Sequence, residues 1–233
     1  MDTDVLVTGI IAMNADFTHI TDVYTPFVFA FVLGLSFILL MVAFRSVVIP
    51  LKAILMNLLS VAAAYGLLVL VFQEGYGGQF LWFQRVPAIE TWLPVFLFCV
   101  LFGLSMDYHV FLQSRIRERF DQTKNNRESV AFGVRTTAGL ITGAALIMVA
   151  VFGGFSTGKL VMMQEMGFGL AVAVFMDATI VRVILVPSLM RLLGNANWYF
   201  PSWLKWIPDV RVEPPSKKTV SGDEQPDWDF VME

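Results

Sequence analysis

The chain has 233 residues, of which 57% are hydrophobic and only 15% charged, with a mean hydropathy of +0.69. Soluble domains carry about 25% charged residues, so the composition excludes an ordinary water-soluble domain and points to a bilayer as the solvent. The formal net charge of −3 says little because the charges cluster in loops, nucleic-acid binding is unsupported because the basic residues adjoin apolar runs, and a single cysteine, Cys99, excludes an intrachain disulfide.

In chain order, residues 1–25 come first. Met1 is followed by Asp2 and Asp4 with no basic stretch, which is not the pattern of a signal peptide. DVLVTGII (4–11) reads as one β-strand of an external domain. Residues 14–24 read as a short helix leading into the membrane, with Asn14 or Asp16 as its N-cap. Five apolar stretches follow, at about 26–44, 50–72, 91–113, 136–155 and 166–192. Each reaches or approaches the roughly 20 residues that a spanning helix needs. Pro50 falls in the first turn of the second, where a helix tolerates it, and Pro187 lies near the end of the fifth. The expected fold class is therefore an all-α polytopic membrane protein with a transmembrane domain over 26–194.

The connections have their own character. Residues 73–90 hold the Gly-rich turn QEGYGGQF. Residues 115–135 mix charged and apolar groups and read as a helix end followed by a helix lying along the inner surface, or as a solvated loop. NWYFPSWLKW (197–206), within an aromatic segment at 195–207, suits the membrane interface, where Trp and Tyr are favoured. The tail at 208–233 is rich in Pro, Lys, Asp and Glu and is expected to be disordered.

Cations set the expected orientation. Arg115, Arg117, Arg119, Lys124, Arg127 and Arg135 crowd the connection between the third and fourth spans, and Arg191 and Lys205 follow the fifth. The alternate connections carry only Arg85 and Lys159. The positive-inside rule puts the cation-rich ends and the C-terminus in the cytoplasm and the N-terminus outside. Five spans with an external start and no export signal lead to the expectation of a C-terminal piece of a larger transporter, with 1–25 as the remnant of an external domain.

The sequence feature with most chemical content is a carboxylate inside the third span, TWLPVFLFCVLFGLSMDYHVFLQ, where Asp107 precedes Tyr108. A charged side chain at that depth costs about 2.5–3.5 kcal/mol on insertion scales and commonly marks an ion or proton path. Adjacent helical side chains point about 100° apart, so Asp107 and Tyr108 can meet different neighbours. Asp177 in the fifth span is a second intramembrane acid, open to either a functional or a structural role. Arg182, five residues on, is expected on a different face and free to snorkel to the interface. Ser105 is open to packing or water binding, Asn57 to an interhelical hydrogen bond, and His109, on a different face from Asp107, to titration or to a packing or interface role. Gly139 and Gly143 form a GxxxG pair suited to helix packing.

GLSMDYHVFLQSRIRERF (103–120), ESVAFGVRTTAGLITGAALIMVAVFGGF (128–155) and MGFGLAVAVFMDATIVRVILVPSLMRLLG (166–194), with NWYFPSWL after them, resemble the C-terminal membrane half of MMPL-family transporters, within the resistance-nodulation-division superfamily. The resemblance implies twelve spans in two related halves, each with an external porter domain, and export of lipids or other hydrophobic compounds driven by the proton gradient. It also implies that each half supplies an Asp-Tyr pair to a central proton relay. Asp107 and Tyr108 match the second-half pair, and the first-half pair is not in this sequence. His109 departs from the usual pattern.

No HExxH, phosphate loop or Cys/His metal cluster occurs, so neither an enzyme, a metal site nor a cofactor is expected. The reading is the C-terminal part of a proton-driven exporter in a bacterial inner membrane. Its proton relay is Asp107 and Tyr108, with Asp177 and Ser105 as an additional intramembrane polar site. Its partners are the bilayer, a hydrophobic substrate and the N-terminal half of the transporter; a homo-oligomer is a compatible assembly. The alternatives are a non-transporting scaffold or relic, or a sterol-sensing or protein-translocation relative.

Overall fold

The computed structural model describes residues 9–78 and 83–201. Helices α1 (Ile10–Phe44), α2 (Val48–Leu68), α3 (Leu93–Thr123), α4 (Asn126–Ser156), α5 (Val161–Met176) and α6 (Val186–Leu193) carry it. A π-helical turn, Val69–Gln73, prolongs α2, and a π-helical segment, Asp177–Leu185, joins α5 to α6 without a break. Five continuous helical rods are thus long and apolar enough to cross a membrane: α1, Val48–Gln73, α3, α4 and Val161–Leu193. Among the described residues there is no strand.

The spans are longer than the apolar runs that reveal them. Helix α1 begins at Ile10 and passes through Pro26 with no separate lead-in helix. The strand expected at 4–11 therefore fails at Ile10 and Ile11, which are helical; residues 4–8 lie outside the described part. Gly9 is the N-cap, not Asn14 or Asp16, both of which stand inside the helix. Proline is tolerated at such a point because, in a lipid-facing helix, neighbouring side chains and local adjustments can satisfy the freed carbonyl.

The 115–135 connection, expected as a helix end followed by a surface helix or as a solvated loop, is instead two long helix ends joined by a tight turn. Helix α3 runs on to Thr123, Lys124 caps it in the left-handed conformation, and α4 starts at Asn126. Asn125 Oδ1 accepts from Glu128 N at 3.3 Å, an N-cap that starts α4 at the level of the charged residues. Outward charges pair along this end: Arg117 with Asp121 at 3.2 Å and Arg119 Nε with Glu128 at 3.0 Å. Such groups let a helix continue into water after its apolar run has ended.

Helices α2, α3 and α5 are mutual neighbours; α1 lies against α2 and α3, and α4 against α3 and α5. One end of the bundle packs Leu68, Phe72, Leu93, Leu97 and Leu170 with Phe83 and Phe168. The other packs Leu112, Ile116, Val130, Val181, Val186 and Met190. Close approach is made by Gly167 and Gly169. A Cβ at Gly167 would meet Ser156 N at 2.6 Å and Phe152 O at 2.7 Å; one at Gly169 would meet Leu68 and Leu97 at 2.7–3.1 Å. Gly139 and Gly143, expected to pack, face outward with nothing within 4 Å of a Cβ.

The 3₁₀ turn Gly194–Trp198 closes the cation-rich end. Trp198 stacks on Phe120 with ring centroids 4.7 Å apart, and the Arg117 guanidinium lies 4.8 Å from its ring. Lys52 is buried there, donating to Asn197 Oδ1 at 3.2 Å, while Ser46 Oγ donates to Asn197 O at 2.6 Å. Of the aromatic segment 195–207, residues from 202 lie outside the described part, as does the whole tail 208–233.

Candidate functional site

At mid-bundle, α2, α3 and the π-helical segment bring four polar side chains together. Arg182 Nη2 donates to Asp177 Oδ2 at 2.7 Å, to Ser105 O at 3.0 Å and to Ser105 Oγ at 3.1 Å. Ser105 Oγ donates in turn to Asn57 Oδ1 at 2.8 Å. The side chains of Arg182 and Asp177 are 4% and 6% exposed, so the ion pair is shielded from surrounding solvent on all sides. Its stabilising value depends on complete hydrogen bonding, because two desolvated charges must be repaid by mutual attraction and by further donors and acceptors.

The pairing corrects the expectation that Arg182 would point elsewhere and snorkel. In a regular α-helix, five residues turn through about 500°, leaving positions 177 and 182 roughly 140° apart. The segment that holds them is π-helical, with i→i+5 hydrogen bonds that widen the turn and bring i and i+5 onto one side. The widening ends at Leu185, two residues before Pro187, whose missing N–H and bulky ring disturb the i−4 position, Val183. Two opposite ionisable residues inside one span carry a signal that sequence reading can use: each is costly alone, so each needs the other.

Tyr108 touches this network through its ring. The Arg182 guanidinium carbon lies 4.8 Å from the ring centroid, a cation–π contact in a desolvated place. Apolar residues including Leu101, Ile141, Met148 and Val174 wall a cavity of about 10 Å³ that Tyr108, Ser105, Asp177 and Arg182 also line. That volume is about what one water molecule needs. Asp177 Oδ1 and Arg182 Nη1 are buried without a protein partner.

Asp107 stands apart. It lies on an exposed face of α3 with Gly103, one turn away, and makes no hydrogen bond or ion pair among the described residues. Ser105 and His109, two residues to either side, are buried at 2% and 1% exposure. The structure therefore joins Ser105, Tyr108 and Asp177 through Arg182 and leaves Asp107 facing outward. His109 stands on the opposite side of the helix, buried with both ring nitrogens unpartnered. Asn57 makes the interhelical bond expected of it.

The MMPL family profile matches residues 1–216. This chain belongs to the MMPL family. It is 47% identical over 211 residues to the mycolic acid-containing lipids exporter MmpL11 of Mycolicibacterium smegmatis, covering 90% of this chain and 22% of that protein. It is 46% identical over 216 residues to the heme uptake protein MmpL11 of Mycobacterium tuberculosis, covering 92% and 22%. With the trehalose monomycolate exporter MmpL3 of M. smegmatis it shares 37% identity over 206 residues, covering 88% and 20%. The chain thus spans about a fifth of the length of these curated relatives. This MMPL chain is a multi-pass membrane protein, and its relatives are named as exporters and uptake proteins rather than enzymes.

Proposed function

We propose that this chain is the proton-coupling membrane part of an exporter of lipid or other hydrophobic compounds, with Asp107 and Tyr108 forming half of an intramembrane relay. The observation that carries the reading is the juxtaposition in α3: an outward carboxylate, then a tyrosine whose ring lies on the guanidinium of a buried ion pair. A carboxylate on that face cannot be left in lipid at low cost. It requires a second polar protein surface, and the first half of an MMPL transporter, with its own Asp-Tyr pair, supplies the expected one. Relatives are named for mycolic acid-containing lipids, trehalose monomycolate and heme, which supports a lipid or other largely hydrophobic substrate class.

In this reading Asp107 gains and loses the proton. Its charge changes next to Tyr108, whose hydroxyl can donate to a carboxylate or pass a proton through water. The tyrosine ring in turn contacts Arg182, so α3 and the π-helical segment feel the same event. One proton moving through 100 mV releases about 2.3 kcal/mol, enough to bias a conformational cycle.

The test is Asp107→Asn in the complete transporter, reconstituted in vesicles with an imposed proton gradient and matched protein levels. The substitution keeps size and hydrogen-bonding capacity but removes titration. Gradient-dependent export should fall more than tenfold while insertion and folding stay normal. Export near the wild-type rate would refute the relay. Tyr108→Phe, which keeps the ring and removes the hydroxyl, should reduce export by no more than Asp107→Asn does.

A further inference from the structure

At the cation-rich end, the start of α4 and the close of α6 enclose an open cavity of about 690 Å³ lined by Lys124, Asn125, Asn126, Arg127, Arg191 and Gly194. No carboxylate lines it. Lys124 Nζ stands 3.6 Å from Asp121 Oδ1, a partly compensated charge. Arg127 and Arg191 make no hydrogen bond or ion pair among the described residues. Among the described residues the acids near this end are engaged: Glu128 with Arg119, Asp121 with Arg117 and Lys124, and Glu118 with Arg115.

The placement opposes ordinary helix electrostatics. The N-terminus of a helix carries about half a positive charge, and cations there are unfavourable. Helix α4 has 31 residues, yet Arg127 sits in its first turn and Lys124 just before it. Arg191, in the last turn of α6, faces the same cavity. The cavity floor is rigid: Asn126 Nδ2 donates to Met190 O at 2.7 Å, and Trp198 Nε1 donates to Asn126 Oδ1 at 3.3 Å. Two guanidinium groups without a counter-charge among the described residues, and one partly compensated ammonium, converge on this concave site and favour an external anion.

We propose that this cavity binds a phosphate-bearing anion, the headgroup of an anionic phospholipid or a soluble phosphate. The distribution of cations along the chain turns this end to the cytoplasmic leaflet, where basic pockets between spanning helices take anionic headgroups. Two planar guanidinium groups suit the oxygens of a phosphate, each offering paired donors. The site shares no lining residue with the cavity beside Asp177, so it stands independently of the transport reading.

The experiment uses the purified chain in nanodiscs and measures retention of phosphatidylglycerol against phosphatidylcholine by native mass spectrometry. Wild type should retain phosphatidylglycerol selectively. Each of Arg127→Gln and Arg191→Gln should weaken retention about fivefold, and the pair about thirtyfold, from the ~1 kcal/mol that each surface cation contributes near anionic lipid. Arg127→Lys with Arg191→Lys should recover part of the loss, which separates charge from folding. Arg135→Gln, an exposed cation of α4 outside the cavity, is the control and should leave retention unchanged. A second arm titrates inorganic phosphate: binding lost in the double Gln variant, with no selective lipid retention, assigns the site to a soluble phosphate. Retention and phosphate binding unchanged in the double variant, or a loss of retention as large in Arg135→Gln, would overturn the proposal.

Discussion

Replacing Arg182 by Met keeps much of the side-chain length and removes its charge. The structure sets the size of the effect. The guanidinium supplies the salt bridge to Asp177 at 2.7 Å, two hydrogen bonds to Ser105 and the cation–π contact with Tyr108. Its loss strands the Asp177 carboxylate at 6% exposure, where the cavity of about 10 Å³ admits little water. Breaking a buried pair from one side costs about 3–5 kcal/mol, mainly through the uncompensated charge left behind. Removing both charges, as in Asp177→Leu with Arg182→Met, replaces the pair by apolar groups and is often neutral or stabilising. The double variant should therefore lie within about 1 kcal/mol of wild type, with coupling of about 3 kcal/mol or more between the two positions. Reversible unfolding in bicelles measures all four corners of this cycle. Additive losses, with the double variant worse than either single one, would refute the idea that the bundle is organised around an ion pair in which each charge needs the other.

Ser105→Ala should cost about 1–3 kcal/mol in the same assay, since it deprives both Asn57 Oδ1 and Arg182 Nη2 of a buried partner. Gly167→Ala should destabilise by about 1–3 kcal/mol because its Cβ would meet backbone atoms of Ser156 and Phe152 within 2.7 Å. Gly143→Ala, with nothing within 4 Å, should be neutral or raise stability by up to about 1 kcal/mol through helix propensity; equal losses at both glycines would contradict the packing described. In a Cys99→Ser background, a cysteine at exposed Gln122 should resist an impermeant thiol reagent applied to intact cells, whereas one at exposed Glu74 should react. Labelling in the reverse pattern would invert the orientation.

The number and order of the spans are legible in the sequence because an apolar run of bilayer length has few other uses. Asp107 and Asp177 are legible for the same reason: a charge in such a run stands out by its cost. The ends of the helices are not. Apolarity marks what lies in lipid, whereas α1 from Ile10, α3 to Thr123 and α4 from Asn126 extend through polar residues held by caps and paired charges. Nor does the GxxxG spacing reveal which glycines meet a neighbour; that depends on how each rod is rotated in the bundle, and Gly133, Gly167 and Gly169 hold close contacts while Gly139 and Gly143 face outward. The partner of Asp177 is hidden most deeply. Regular 3.6-residue geometry separates it from Arg182, and only the π-helical widening between them turns both toward Ser105 and Tyr108. Sequence determines which groups must avoid lipid, because that is a property of each residue; tertiary structure decides where they go, because that depends on helix rotation, local winding and the neighbours packed alongside.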